Sequence, residues 1–222
     1  MANLITATRF GLLFVLVASA YRATPEWQLL DAPLLLLIIA LDGLDGYVAR
    51  RRGETSRFGA IFDIAVDRVV ENVLWVVLAH LGLIPVWVAI VFVTRGSIVD
   101  SIRYAAISGG QTPFGMMQSR WGRFLVAGRF MRGFYGTVKA ATFAWVLLVQ
   151  PLPQLYPAMW SERVATMDAI TTFLVLLSVA LCVIRGVPVI AEFVLTSDAM
   201  RSAIRRRKVE RPRFRITSRP AA

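Results

Sequence analysis

One cysteine and one histidine are all that this chain of 222 residues carries. The lone Cys182 excludes an intrachain disulfide framework, and with His80 as the single imidazole neither a Cys/His zinc site nor a histidine-based catalytic triad can be assembled. Cys182 reads as a small buried residue of an apolar helix, and His80 falls near a helix end. Acidic residues are scarce as well: 14 Asp and Glu stand against 25 Lys and Arg, a net charge of +11. Such an excess can signal nucleic acid, but no aromatic-studded basic module accompanies it. The arginines cluster between and after apolar runs, which fits the positive-inside rule and anionic lipid headgroups, and no nucleic-acid partner is expected. With 57% hydrophobic residues the chain is too apolar for an ordinary soluble domain. Neither an internal repeat nor a second, soluble domain is visible.

What is present is a series of apolar runs of about 20 residues, the length that crosses a bilayer. They predict an all-α integral membrane protein of about six transmembrane helices, near 8–22, 31–51, 58–81, 86–107, 133–150 and 164–185. The last is expected to kink at Gly186 and Pro188 before continuing to Leu195. Residues 1–20 also fit a cleaved signal peptide, with Arg9, an apolar run and Ala18-Ser19-Ala20; the competing reading is an uncleaved first helix. Six spans place both termini and every Arg-rich segment inside: Arg50 to Arg52, the loop 108–132, and the tail from Arg201. The expected division is a membrane domain over 1–200 and a basic cytoplasmic tail over 201–222, the tail lying on the anionic inner leaflet. The location implied is a bacterial inner membrane, with multiple passes.

Four aspartates, Asp42, Asp45, Asp63 and Asp67, interrupt the second and third runs. As helix, Asp42 and Asp45 share a face about 4.5 Å apart along the axis. Gly59, Asp63 and Asp67 recur every fourth residue and line one face of the next helix. A carboxylate at the bilayer centre costs about 2.5–3.5 kcal/mol, and four so close together also repel one another. Either arginines (Arg50, Arg51, Arg52 and Arg57 are nearby) or a hard divalent cation must neutralise them, and the oxygen donors favour the cation. The resulting picture is an acidic metal site between helices 2 and 3, facing the cytoplasm.

Written out, the stretch is Asp42-x2-Asp45-Gly46-x2-Ala49-Arg50-x8-Gly59-x3-Asp63-x3-Asp67. This resembles the signature of the CDP-alcohol phosphatidyltransferase family at every defined position, and Asn3, Thr6 and Arg9 reproduce the Asn-x2-Thr-x2-Arg segment that precedes it there. The resemblance implies a metal-dependent enzyme of phospholipid biosynthesis. An alcohol attacks the phosphorus nearer the diacylglycerol in CDP-diacylglycerol, and CMP leaves. It implies two metal ions, Mg2+ with Mn2+ as a substitute, on Asp42, Asp45, Asp63 and Asp67, with Asp67 completing the site or serving as base. Thr6, Gly46, Ala49, Arg50 and Gly59 are expected around the CDP donor. The small residues also suit close helix packing, and Arg50 also suits a purely topogenic role. Homodimers are common in the family.

The acceptor is a small polar alcohol. Arg95, Arg103 and Lys139 are cations inside apolar helices, costly unless they face an anion or a cavity. Together they suit an acceptor phosphate; alternatively they pair with Asp100 or with the motif carboxylates. Arg95-x7-Arg103 followed by Gly136-x2-Lys139 looks like the phosphatidylglycerophosphate synthase branch, with glycerol 3-phosphate as acceptor. That branch usually has Glu, Pro and Lys where this chain has Gly96, Ile64 and Arg68, and Arg68 is closer to inositol-type members, so inositol phosphate is the alternative. A rival of another class is an ion transporter that uses the acidic cluster as its path. A scaffold without activity is disfavoured by the retention of all four aspartates.

Overall fold

Each apolar run forms a helix in the computed structural model, which describes residues 2–52, 57–108 and 123–209. Six long helices carry the architecture among these residues: α1 (Ala2–Arg22), α2 (Asp31–Arg52), α3 (Arg57–His80), α4 (Val86–Ser108), α5 (Arg129–Val149) and α6 (Pro157–Val209). Single turns at Pro25–Gln28 and Leu152–Leu155 lie in the α1–α2 and α5–α6 connections, and a π-helical turn at Arg123–Ala127 precedes α5. The first helix starts earlier than hydropathy suggests, and α5 begins at Arg129 rather than 133. The sixth continues as helix through Pro188 to Val209, past the expected boundary at 200. Hydropathy marks the apolar part of a helix, whereas backbone hydrogen bonding carries it on through polar residues.

The α3–α4 turn shows how local chemistry ends a helix. Gly82 adopts φ 72°, the left-handed conformation that a Cβ disfavours. The Leu83 amide donates to the Leu78 carbonyl at 3.0 Å and the Gly82 amide to Ala79 at 3.1 Å, the paired bonds of a Schellman motif. Pro85 then prevents resumption of the same helix. His80 is the last residue of α3, and Cys182 is buried in α6, both as expected.

Helix order in space differs from order in sequence. α1 packs on α2 and α3, α2 on α5, α5 on α6, α6 on α4, and α4 on α3, which closes a ring. Among the described residues α1 packs against both α2 and α3, and the expected hairpin between them runs through 53–56, outside the described residues. Leu13, Leu16 and Ala20 of α1 are buried in this body. One end of the ring is filled by apolar side chains. Fully buried Trp75 of α3 stacks on Phe92 of α4 with centroids 4.0 Å apart and meets Phe143 of α5 at 4.4 Å. The α5–α6 seam carries a polar clasp in which Thr142 Oγ1 and Ser178 Oγ lie 2.8 Å apart. Among the described residues, three stretches are long and apolar enough to cross a membrane: Asn3–Arg22, Pro25–Leu44 and Pro157–Leu195.

Candidate active site

The other end of the ring holds charge. Asp42 comes from α2, and Asp63 and Asp67 come from successive turns of α3; ligand oxygens of the three lie within 4.8 Å of one another. Between them lies the guanidinium of Arg9, from α1. Its Nη1 donates to Asp63 Oδ1 at 3.2 Å and stands 2.6 Å from Asp42 Oδ1, while Nη2 donates to Asp67 Oδ1 at 2.7 Å. The wedge position of α1 makes this geometry available. Arg9 was read from sequence only as part of a flanking segment. The overlooked signal is a cation within an apolar run, one turn after Thr6, which is itself buried.

Asp45, Gly46, Ala49 and Arg50 lie on α2, but their side chains fall outside the described residues. Gly59 is half-buried in the first turn of α3. Asp42, Asp63 and Asp67 are therefore the part of the expected ligand set whose geometry is described. They offer hard oxygen donors, and with Arg9 the group carries a formal charge of −2, which one divalent cation would cancel. The residues fit a metal of the Mg2+ type.

The acidic group opens on a cavity of about 480 Å³ that reaches the cations of the remaining helices. Asp42, Asp67 and Glu71 line it together with Arg9, Arg68, Arg95, Arg103, Arg132, Lys139 and Arg185. The three cations singled out by sequence, Arg95, Arg103 and Lys139, do share this space. Two of them also have carboxylate partners, as the pairing alternative expects. Lys139 Nζ lies 2.7 Å from Glu71 Oε1, and Arg103 Nη1 lies 3.8 Å from Asp100 Oδ1. Arg68 links the two pairs, with Nε 2.7 Å from Asp100 and Nη1 donating to Glu71 at 3.2 Å. Glu71 extends the stripe of Asp63 and Asp67 by one turn, where sequence suggests that it orients a ligand or pairs with an arginine; it pairs with Arg68 and with Lys139.

Sequence reasoning missed Arg132 and Arg185 as cavity residues. Arg185 Nη1 donates to the Leu125 carbonyl at 2.8 Å and Nη2 to Val126 at 3.2 Å, which fastens the π-helical turn to α6. Lys139 and Arg185 also flank the Tyr135 ring, at 4.5 and 5.4 Å from its centroid. Taken whole, the cavity has an acidic wall suited to a metal cation and a basic wall suited to anions.

Comparison with known proteins identifies the family. The family model described as CDP-alcohol phosphatidyltransferase matches residues 1–197. The CDP-diacylglycerol–glycerol-3-phosphate 3-phosphatidyltransferase of Bacillus subtilis (strain 168) is 28% identical over 90 residues, covering 40% of this chain and 47% of that protein. The protein of the same name from Mycoplasma genitalium is 36% identical over 73 residues, 33% of this chain and 31% of its own. The chain thus spans less than half the length of these two relatives. A phosphatidylinositol phosphate synthase of Mycobacteroides abscessus is 27% identical over 168 residues, 71% of this chain and 76% of that protein.

Proposed function

The chain belongs to the CDP-alcohol phosphatidyltransferase family, and from that premise we propose that it transfers the phosphatidyl group of CDP-diacylglycerol to a phosphorylated alcohol and releases CMP. The observation that carries this reading is one cavity lined both by Asp42 and Asp67 and by Arg95, Arg103 and Lys139. Glycerol 3-phosphate is the first choice of acceptor, which gives phosphatidylglycerophosphate. Inositol phosphate is the second reading, favoured by the Mycobacteroides relative, whose similarity covers more of both chains, and by Arg68. The relatives named above are synthases and transferases, so an ion path is set aside.

In this mechanism Asp42, Asp45, Asp63 and Asp67 would hold Mg2+, or Mn2+ in its place, as two ions. Bound metal would neutralise the pyrophosphate, polarise the attacked phosphorus and stabilise the departing CMP. Thr6, Gly46, Ala49, Arg50 and Gly59 surround the donor. Arg95, Arg103 and Lys139 receive the acceptor phosphate and so aim its hydroxyl at the acidic wall. Asp67 takes the hydroxyl proton as the new P–O bond forms and the bond to CMP breaks.

The membrane arrangement follows the same reading. Each long helix has 21 residues or more, a span of about 30 Å, and six such helices make a multi-pass protein of a bacterial inner membrane with the site on the cytoplasmic side. Residues 1–200 form the catalytic domain and 201–222 a basic tail on the inner leaflet; of the tail, residues 210–222 lie outside the described residues. A homodimer is in keeping with the family.

The test is CMP release by detergent-purified protein with CDP-diacylglycerol, Mg2+ or Mn2+, and one acceptor at a time: glycerol 3-phosphate, inositol 1-phosphate, inositol and serine. Metal-dependent release with glycerol 3-phosphate alone is the expected result. Release only with inositol 1-phosphate selects the second reading, and silence with every acceptor in folded protein sinks both.

A further inference from the structure

Arg9 is buried where its carboxylate partners are open. Its side chain is 3% exposed, while those of Asp42, Asp63 and Asp67 are 42%, 40% and 48% exposed. The guanidinium is thus packed within the protein at the cavity's acidic lining, while the carboxylates stay half-exposed. The contacts described, one to each carboxylate, go to an Oδ1. The planar fork also sets their separation, since Nη1 spans Asp42 and Asp63 while Nη2 takes Asp67.

We propose that Arg9 is a positioning residue of the metal site, a fixed cation that holds three carboxylates from two helices in convergent register. Like charges at this spacing repel, the more strongly where water is sparse. Because α1 lies between α2 and α3, removal of Arg9 would let Asp42 separate from Asp63 and Asp67. Groups that orient metal ligands from behind typically contribute about 10–100-fold to metal affinity. This inference rests on the metal-site reading above. The rival role is that of a competitor, in which the guanidinium occupies the metal position and must leave before a metal can bind. The two roles predict opposite signs.

The experiment is direct Mn2+ binding, followed by electron paramagnetic resonance of the free ion, to detergent-solubilised wild type, Arg9→Gln and Arg9→Lys. Arg9→Gln is expected to bind at least tenfold more weakly, and Arg9→Lys in between, because lysine keeps the charge but loses the fork. Unchanged or tighter binding by Arg9→Gln overturns the role, while leaving the metal site standing. Absence of binding by the wild type sinks the metal site itself, and the Arg9 role with it. A second measurement needs no variant: phenylglyoxal modification of the wild type, read at the Arg9-bearing peptide by mass spectrometry. Protection that persists when Mn2+ is added is expected; a rise in labelling on Mn2+ addition means displacement and overturns the proposal.

Discussion

The two walls of the cavity carry opposite charge imbalances and are built in opposite ways. On the acidic wall, Asp42, Asp63 and Asp67 all contact the guanidinium of Arg9, a group of formal charge −2. On the basic wall, Arg68, Arg95, Arg103, Arg132, Lys139 and Arg185 converge from four helices, and Glu71 and Asp100 are the carboxylates recorded against Arg68, Arg103 and Lys139. The acidic aspartates come from two consecutive helices of one continuous stretch, with α1 supplying the cation between them. The surplus on each wall is what a ligand would satisfy: a metal cation on one side, phosphate on the other. A carboxylate tied to a neighbouring cation is positioned, whereas a surplus charge facing a cavity remains available for binding.

If the walls have separate tasks, damage to each should move a different quantity. The largest effect is expected from Asp67→Asn, which keeps the size of the side chain but removes the base and a ligand charge. Turnover should fall by about 10²–10⁴-fold, the usual contribution of a positioned base, while binding of CDP-diacylglycerol persists. CMP release and direct donor binding measured on the same preparation check this, and near-normal turnover would break the assignment.

Next in size is Lys139→Met on the basic wall. It removes a phosphate contact and leaves the charge of Glu71, previously 2.7 Å from Lys139 Nζ, facing the cavity. A charge-assisted hydrogen bond is worth about 1.5–3 kcal/mol, so KM for the acceptor should rise roughly tenfold to a hundredfold. Metal and donor requirements should stay as in the wild type. A change in the metal requirement of comparable size would mean that the walls act as one unit, and the comparison would fail.

The same difference in construction explains what was legible in the sequence. Asp63 and Asp67 are one helical turn apart, so their common face follows from local spacing alone, and hydropathy alone exposes them as charges where charge is costly. Arg95, Arg103 and Lys139 were visible for the second reason only. Their meeting depends on the ring order α1–α2–α5–α6–α4–α3, which involves contacts between helices far apart in sequence and leaves no periodic trace. Arg132 was lost because α5 begins at Arg129, earlier than its apolar run. Arg185 sits just before the expected kink at Gly186 and Pro188, and its place in the cavity depends on α6 packing against α4 and α5. Arg9 escaped as a site residue because α1 inserts between two helices that sequence order alone would pair.

The smallest expected effect tests how finely the basic wall is set. Gly186 lies next to Arg185 on α6, and a Cβ built there would stand 2.9 Å from both Cγ and Nε of Arg95. Glycine at this position lets the Arg95 side chain lie against the α6 backbone on its way to the cavity. In Gly186→Ala the methyl displaces a flexible side chain and not backbone, so the helix survives, and the lower backbone entropy of alanine in the unfolded chain partly offsets the crowding. Arg95 must shift by a few tenths of an ångström or change rotamer, which moves its guanidinium relative to Arg103 and Lys139. KM for the acceptor should rise about threefold to tenfold, the loss of part of one charged contact, with metal affinity unchanged. Gly133→Ala is the matched control, because a Cβ there meets nothing within 4 Å, and it should leave the acceptor KM alone. If both variants behave alike, Arg95 lines the cavity without contacting the acceptor, and the basic wall reduces to the residues held by Glu71 and Asp100.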